Sequence, residues 1–327
     1  MPIDTDFGFV APKRGPFSHR SIEMPSDGDT PIIRQPIRMV SIDTPEKEYG
    51  GGETLQQQKL DAARQRLEGD FFGDLIPQET KDYLLAKLHG NAANKHVTAA
   101  YDASSAFERL LNERLERLDE PDEGDSTRIW RRNLAVFPNG QIIDTYGRML
   151  AYIAPWFSSG DLPPIGDPRR NTLNLEMLKN GWAALFIIFP SIPKPTDFEM
   201  ALNWAKDAFE SKDGQWQERD LFLPAYEYRA LIKLGAFLFA ARNASGDIKA
   251  RYYTEAEKDA DEAAQLAAGN TIGQQRNTSP ADLVAKAFQR SVVDIESRES
   301  LGRFRFDLIP AWRRMWYWES DHDEAVT

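Results

Sequence analysis

IRMVSIDTPE, running from Ile37 to Glu46, is the stretch from which the rest of the chain is read. From Ile33 to Asp43, β-branched residues mix with alternating polar ones, and the run meets Thr44-Pro45, as a half-buried strand stopped by proline does. Within ten residues it carries one guanidinium, Arg38, and two carboxylates, Asp43 and Glu46. An arginine alternating with apolar neighbours is, alone, an ordinary solvent-facing residue. The carboxylates just along the chain make it a candidate for chemistry.

Upstream stands DGDT (Asp27 to Thr30), preceded by Met1 to Ser18, which Pro2, Gly8, Pro12, Gly15 and Pro16 mark as an irregular arm. PSDGDTP also reads as a turn between strands at Arg20 to Met24 and Ile32 to Val40, which would leave Asp29 on a loop tip. Downstream, between Glu53 and Asp119, the apolar period becomes helical, with stripes at Leu55, Leu60, Ala63 and Leu67, then Tyr83, Leu84 and Leu88, then Phe107 to Leu118. Three helices are expected there. Strands are expected at Ile129 to Phe137 and Gln141 to Ile153, joined by a hairpin turn at Pro138-Asn139-Gly140. A helix at Leu173 to Asn180, stopped by Gly181, precedes the apolar run WAALFIIF, and another covers Asp197 to Phe209. Beyond Trp216 the pattern reads as almost all helix, over Leu221 to Arg242, Glu255 to Ala267 and Ala281 to Arg298.

The chain has 327 residues, enough for one large domain or two ordinary ones, and 41% hydrophobic with 28% charged residues is globular composition. There is no cysteine, which excludes disulfides, thiolate zinc sites and a cysteine nucleophile. The four histidines (His19, His89, His96, His322) stand too far apart to suggest a zinc cluster. The opening MPIDTDFGFVAPKRG has no basic segment followed by an apolar one, and no apolar run reaches the ~18 residues of a membrane span. A cytoplasmic location without a membrane partner is expected. The net charge of −11 speaks against coating nucleic acid, although a few arginines focused on one cleft suffice for a local site.

DGDT, IRMVSIDTPE, DTYGRMLAYI (Asp144 to Ile153), LNLEMLKNGWA (Leu173 to Ala183) and ALNWAKDAFESKDGQW, ending at Trp216, follow one another in this order. Together they resemble the staphylococcal nuclease (thermonuclease) family over roughly residues 20 to 216. The resemblance implies an α+β fold with an OB-type five-stranded β-barrel as a nuclease-like domain over 19–216. That domain would carry a helical insertion at about 50–94 and be followed by a mostly helical C-terminal extension, 217–327. It further implies a calcium-dependent endonuclease or phosphodiesterase, a hydrolase cutting DNA, RNA or both with little sequence preference.

By the same resemblance Asp29, Asp43 and the carbonyl of Thr44 bind calcium, or another divalent cation in its place; such a hard ion takes oxygen ligands. Arg38 and Arg148 grip the scissile phosphate, and Glu46 orients or deprotonates the attacking water. Guanidiniums suit a phosphate whose charge concentrates in the transition state, since a planar fork holds two oxygens and keeps its charge. Tyr146 matches a residue contacting a nucleotide phosphate, and Phe189 falls near the position where a base stacks, a contact tolerant of sequence.

The chain departs from the family prototype in three places. The path from Asp29 to Arg38 is shorter, Thr145 stands where a lysine would add a phosphate contact, and the helices of 50–94 follow Glu46 directly, where they would gate access. A noncatalytic nucleic-acid-binding or scaffold protein retaining the fold is the alternative. The segment 217–327 leaves room for a protein partner. Within it RFRFDLIPAWRRMWYW (Arg303 to Trp318) interleaves arginines with aromatics as single-strand binders do, and more simply reads as an edge strand or a staple over a core.

Overall fold

The computed structural model of the chain describes residues 34–115, 133–242, 248–268 and 275–322. Asp29, the expected arm over 1–18 and the acidic loop DEPDEGDS lie outside the described residues. The chain divides into two compact units, the first comprising the residues up to Val40 with Asn112–Asn174, the second Ser41–Leu111 with the residues from Leu175 onward. In chain order the first elements are β1 (Ile37–Met39), β2 (Ser41–Asp43), α1 (Glu53–Glu68), α2 (Gln78–Lys87), α3 (Ala92–Leu115), β3 (Leu134–Ile143), β4 (Met149–Pro155), α4 (Leu173–Lys179) and β5 (Ala184–Ile188). Then come α5 (Pro195–Ser211), α6 (Ala225–Leu234), β6 (Phe239–Arg242), β7 (Ile248–Tyr252), α7 (Glu255–Ala267), β8 (Gln275–Asn277), α8 (Pro280–Ala287), β9 (Ser291–Asp294), β10 (Ser300–Gly302) and β11 (Arg314–Tyr317). The fold is mixed α+β. Its strands form three sheets, ordered β1-β4-β3, β10-β9-β11-β5-β2 and β7-β6-β8, and among the described residues none closes into a barrel.

The strand expected from Ile33 to Asp43 is two strands. Ser41 adopts φ 63°, a left-handed conformation that an L residue takes up singly and that breaks the pleat. β1 pairs in parallel with β4, and β2 pairs antiparallel with β5.

In the first unit β4 lies between β1 and β3. The hairpin is present, but its turn is not at Pro138-Asn139-Gly140. Pro138 still pairs with Ala151, the ladder shifts between Pro138 and Ile143, and Gly140 (φ 65°) lies within this irregularity. The chain reverses instead at Asp144 to Arg148. There the Asp144 amide donates to the Arg148 carbonyl (2.9 Å), the Gly147 amide donates to the Asp144 carbonyl (2.9 Å), and Gly147 takes φ 79°. The Asp144 carboxylate fixes that choice by accepting from the amides of Tyr146 and Arg148, both at 2.9 Å, an Asx turn that outcompetes the Asn-Gly signal. Asn174, 2% exposed at the start of α4, ties β1 to β4. Its amide donates to the Val40 carbonyl (2.9 Å), and its oxygen accepts from Ile153 N (3.1 Å).

The second unit has its core among α1, α2, α6, α8, β9 and β11, with Leu60, Leu84, Tyr228, Leu231, Phe288 and Trp316 all buried. The helices expected as an insertion near the mouth of a site are thus part of a core. A Cβ on Gly235 would lie 1.6 Å from the Lys59 carbonyl oxygen, so α1 and the end of α6 touch backbone to backbone. Gly181 (φ 70°) ends α4 as expected and packs on Gly214, with a 2.9 Å bond from the Gln215 amide to the Gly181 carbonyl.

Residues 217–322, expected to be mostly helical, alternate helices with strands. The helix read over Leu221 to Arg242 ends at Leu234 and gives way to β6, and the one read over Ala281 to Arg298 ends at Ala287 before β9. Short apolar runs buried on several sides satisfy a helical stripe and a buried strand equally, and here the strand prevailed. β11 is no edge strand: it is buried throughout between β9 and β5. Under it lies Glu227, 0% exposed, which accepts from Arg314 Nη1 (2.6 Å) and the Tyr83 hydroxyl (2.8 Å), with the Lys87 ammonium 3.2 Å away.

Candidate functional site

The expected site residues fall into groups belonging to different units. In the first unit Arg148 leaves the turn beside its own counterion: Nε donates to Asp144 Oδ2 at 2.8 Å, and Nη2 lies 2.7 Å from the same oxygen. Burial raises the Asp144 pKa, but bonds from the Arg148 backbone and side chain and from the Tyr146 amide outweigh it, holding the carboxyl below its ordinary value. Asp144 is therefore a turn-former and an anchor for Arg148. The Arg148 guanidinium lies 5.3 Å from the centre of the Tyr146 ring, which is 82% exposed and available to a ligand.

Arg38 pairs in register with Leu150 on the parallel strand β4. Arg148 immediately precedes β4, two residues before Leu150, so continuing the alternation puts Arg38 and Arg148 on the same side of the β1–β4 pair, with a diagonal separation of roughly 7–8 Å between backbones. On β4 the residues of the opposite face, Ala151 and Ile153, are buried, while Leu150 and Tyr152 are half-buried. The arginine face is the less buried one over Leu150 to Ile153.

In the second unit Asp43 ends β2, 3% exposed, and its cation comes from α6. Arg229 donates through Nη2 to Asp43 Oδ2 (2.6 Å), through Nη1 to Asp43 Oδ1 (3.2 Å) and through Nη1 to Glu46 Oε1 (2.8 Å). Burial opposes the charge on Arg229, and the two carboxylates overcome it, raising its pKa above the ordinary value. The backbone at Glu46 is fixed by His96 on α3, whose Nε2 accepts from the Glu46 amide at 2.9 Å. Its proton therefore sits on Nδ1, 3.2 Å from the Leu223 carbonyl. Burial drives the His96 pKa down to about 3, so the ring is neutral, stacked on Tyr228 with centroids 3.6 Å apart. Gln56 completes the brace, donating to the carbonyls of Lys47 (3.0 Å) and Gly51 (2.9 Å) and accepting from the Tyr228 hydroxyl (2.6 Å). Glu46 thus sits on a loop held by α1, α3 and α6.

The implied calcium ion can be tested against these donors. The Asp43 carboxylate has the right chemistry and Thr44 follows it, but both Asp43 oxygens and one of Glu46 already face a guanidinium. Among the described residues no group of three or more His, Cys, Asp or Glu side chains is arranged to hold a metal. The described donors, as arranged, do not fit the ion.

Phe189 is separate from this group. Asp43 pairs with Ala184, and Phe189 follows the end of β5 five residues further along the chain, roughly 17 Å away at ~3.4 Å per residue. It lines a cleft of about 330 Å³ with Ile192, Pro195, Phe198, Val293 and Met315. Arg229 and His96 were not singled out from the sequence. They lie 183 and 50 residues from Glu46, and neither has a local motif; the one available signal is an arginine within an otherwise largely buried α6.

No protein-family model matches the chain, and a search of curated proteins returns no match. Among the described residues no helix is long and apolar enough to cross a membrane.

Proposed function

We propose that the chain is a nuclease of the staphylococcal nuclease type, hydrolysing phosphodiester bonds of DNA, RNA or both with little sequence preference. What supports this reading most is that strand alternation puts Arg38 of β1 and Arg148, just before β4, on the less buried face of that pair, with Tyr146 beside Arg148. Two guanidiniums facing one way offer paired donors to a phosphate, and they stabilise its charge most as it concentrates in the transition state. Asp144 contributes by fixing Arg148 before substrate arrives, so little side-chain freedom is lost on binding. Glu46 is the group to hold or deprotonate the attacking water, and Tyr146 the group to contact a neighbouring phosphate or base.

A parallel β1–β4 pair flanked by an antiparallel β3 also suits the OB-type barrel that belongs to this reading, which needs strands beyond these three. Calcium is implied by the same resemblance, and in the present arrangement Arg229 occupies the Asp43 and Glu46 oxygens that such an ion would take.

Arg229 favours a second reading, a noncatalytic nucleic-acid-binding or scaffold protein in which the guanidinium permanently replaces the ion. Cleavage of labelled single- and double-stranded DNA and RNA, with calcium, magnesium or chelator, separates the two. The nuclease reading expects divalent-dependent cleavage that falls on the order of 100-fold or more in Glu46→Gln and in Arg148→Ala. Binding that Arg148→Ala weakens, without cleavage under any condition, selects the noncatalytic reading. Neither cleavage nor binding removes both.

A further inference from the structure

In the second unit two buried cations share one carboxylate. The Lys87 ammonium lies 3.2 Å from Glu227 Oε2, and Arg314 Nη1 donates to Glu227 Oε1 at 2.6 Å. All three side chains are at least nine-tenths buried. Their remaining partners are neutral. The Tyr83 hydroxyl donates to Glu227 (2.8 Å), Lys87 donates to the Phe222 carbonyl (2.9 Å), and Arg314 donates to the Ile309 carbonyl (3.2 and 3.0 Å) and to Tyr83 (3.3 Å). Among the described residues neither cation pairs with a second carboxylate, so the cluster holds one positive charge in surplus. Burial works against every charge here, yet Glu227 raises the Lys87 pKa above its ordinary value, and Lys87 and Arg314 lower that of Glu227 below its own. The surplus is therefore real at neutral pH.

Lys87, Arg314 and Tyr83 line a cleft of about 250 Å³, together with the apolar groups of Phe209, Leu308 and Ile309. The other charged residues lining it are each matched. Arg219 has Asp220 at 3.9 Å and the Phe209 carbonyl at 2.8 Å, and Asp307 has Arg305 at 3.6 Å. Asp307 Oδ1 is buried and accepts no hydrogen bond, which is the feature of this cleft that would suit a cation. The charge count favours an anion instead, because a buried charge without its counter-ion costs stability until one reaches it. Arg314 has the means to receive it, since four bonds leave one of its five N–H groups. One missing charge calls for a monoanion; a phosphate dianion would bring a second charge close to Asp307. The volume lies below the ~300–1,000 Å³ of clefts that take drug-sized ligands, so the body attached to that charge is small.

We propose that this cleft binds a small monocarboxylic acid with an aromatic or branched apolar body, its carboxylate completing Lys87 and Arg314 and its body packing on Phe209 and Leu308. The site lies within the second unit and stands whether or not the chain cuts phosphodiesters.

The test is calorimetric titration and thermal melting of the full chain with phenylacetate as the probe, phenylacetamide as its uncharged counterpart and benzylamine as its cationic one. Phenylacetate should bind and raise the melting temperature, and phenylacetamide should bind about tenfold more weakly or worse. Lys87→Met should weaken phenylacetate by about tenfold. Without ligand that variant should melt within about 4 °C of its parent, because Arg314 and Glu227 remain as a balanced pair. Asp307→Asn, which lies outside the cluster, should tighten phenylacetate by roughly threefold, since a like charge is gone. The proposal is overturned if phenylacetate does not bind, if phenylacetamide or benzylamine matches it, or if Asp307→Asn fails to tighten it. Affinity unchanged in Lys87→Met overturns it too, as does a Lys87→Met chain that melts far below its parent, since no charge would then have been in surplus.

Discussion

Glu227→Gln is the sharpest probe of what holds the second unit together. The carboxylate is 0% exposed, and Lys87 and Arg314, whose side chains are 9% and 5% exposed, meet at it from α2 and β11. Glutamine preserves volume and an acceptor for the Tyr83 hydroxyl but removes the negative charge, leaving two buried cations facing a neutral amide. Lys87 keeps its bond to the Phe222 carbonyl (2.9 Å) and Arg314 its bonds to the Ile309 carbonyl (3.2 and 3.0 Å), so the loss is one of charge compensation. Removing one partner of a buried pair costs about 3–5 kcal/mol. At about 2–4 °C per kcal/mol for a body of 150–250 residues, the melting temperature should fall by roughly 6–20 °C. Urea unfolding followed by tryptophan fluorescence measures the free energy directly, and calorimetry gives the shift. A loss below about 1 kcal/mol would refute the reasoning, since the cations would then be reaching water. Replacing the triad by Leu at 227 and Met at 87 and 314 is the control and should cost much less than the single change.

Three further outcomes follow from the same contacts. His96 has a folded pKa of about 3 against ~6.5 unfolded, so the unfolded state binds the extra proton; stability is full above ~6.5 and is lost as pH falls. Between pH 7 and 5 the wild type should lose about 2 kcal/mol more than His96→Gln in urea titrations, and parallel losses would contradict a buried neutral ring. Gly235→Ala sets a methyl 1.6 Å from the Lys59 carbonyl oxygen and should cost about 3 kcal/mol or more, read as a lower urea midpoint; a neutral result would mean that α1 and α6 separate easily. Arg229→Met should destabilise by about 3 kcal/mol, and millimolar calcium should raise its melting temperature more than that of the wild type, by filling the vacated position. Identical calcium responses would show that Asp43 and Glu46 hold no ion even when their guanidinium is removed.

What was legible in the sequence follows from the range of the interactions involved. The stripes of Leu60, Ala63 and Leu67 and of the following helices gave α1 to α3 because a 3.6-residue period is local. Thr254 with Glu257 closes a capping box that starts α7 where the acidic run begins. The hairpin strands were legible and Asp144 reads as a turn residue before Tyr146, but the reversal was expected at Pro138-Asn139-Gly140; two local turn signals competed, and the Asx bonds of Asp144 prevailed. From 217 onward the reading failed in part because β9 and β11, four residues each and buried on both faces, carry no alternation. Of the expected site residues, Arg38, Tyr146 and Arg148 in the first unit and Asp43 and Glu46 in the second were singled out by motif. Arg229, which decides the chemical state of two of them, was not, since ion pairs across more than 180 residues leave no pattern in a single chain.

That separation has a consequence for how the chain is made. Arg229 is translated 183 residues after Glu46 and 186 after Asp43. At roughly 5–20 residues per second, the two carboxylates wait on the order of 10 to 40 seconds for their guanidinium. During that interval, and in every product truncated before α6, the acidic pair is open to whatever cation the surroundings supply. The counterion of the first fifty residues is delivered by the last hundred.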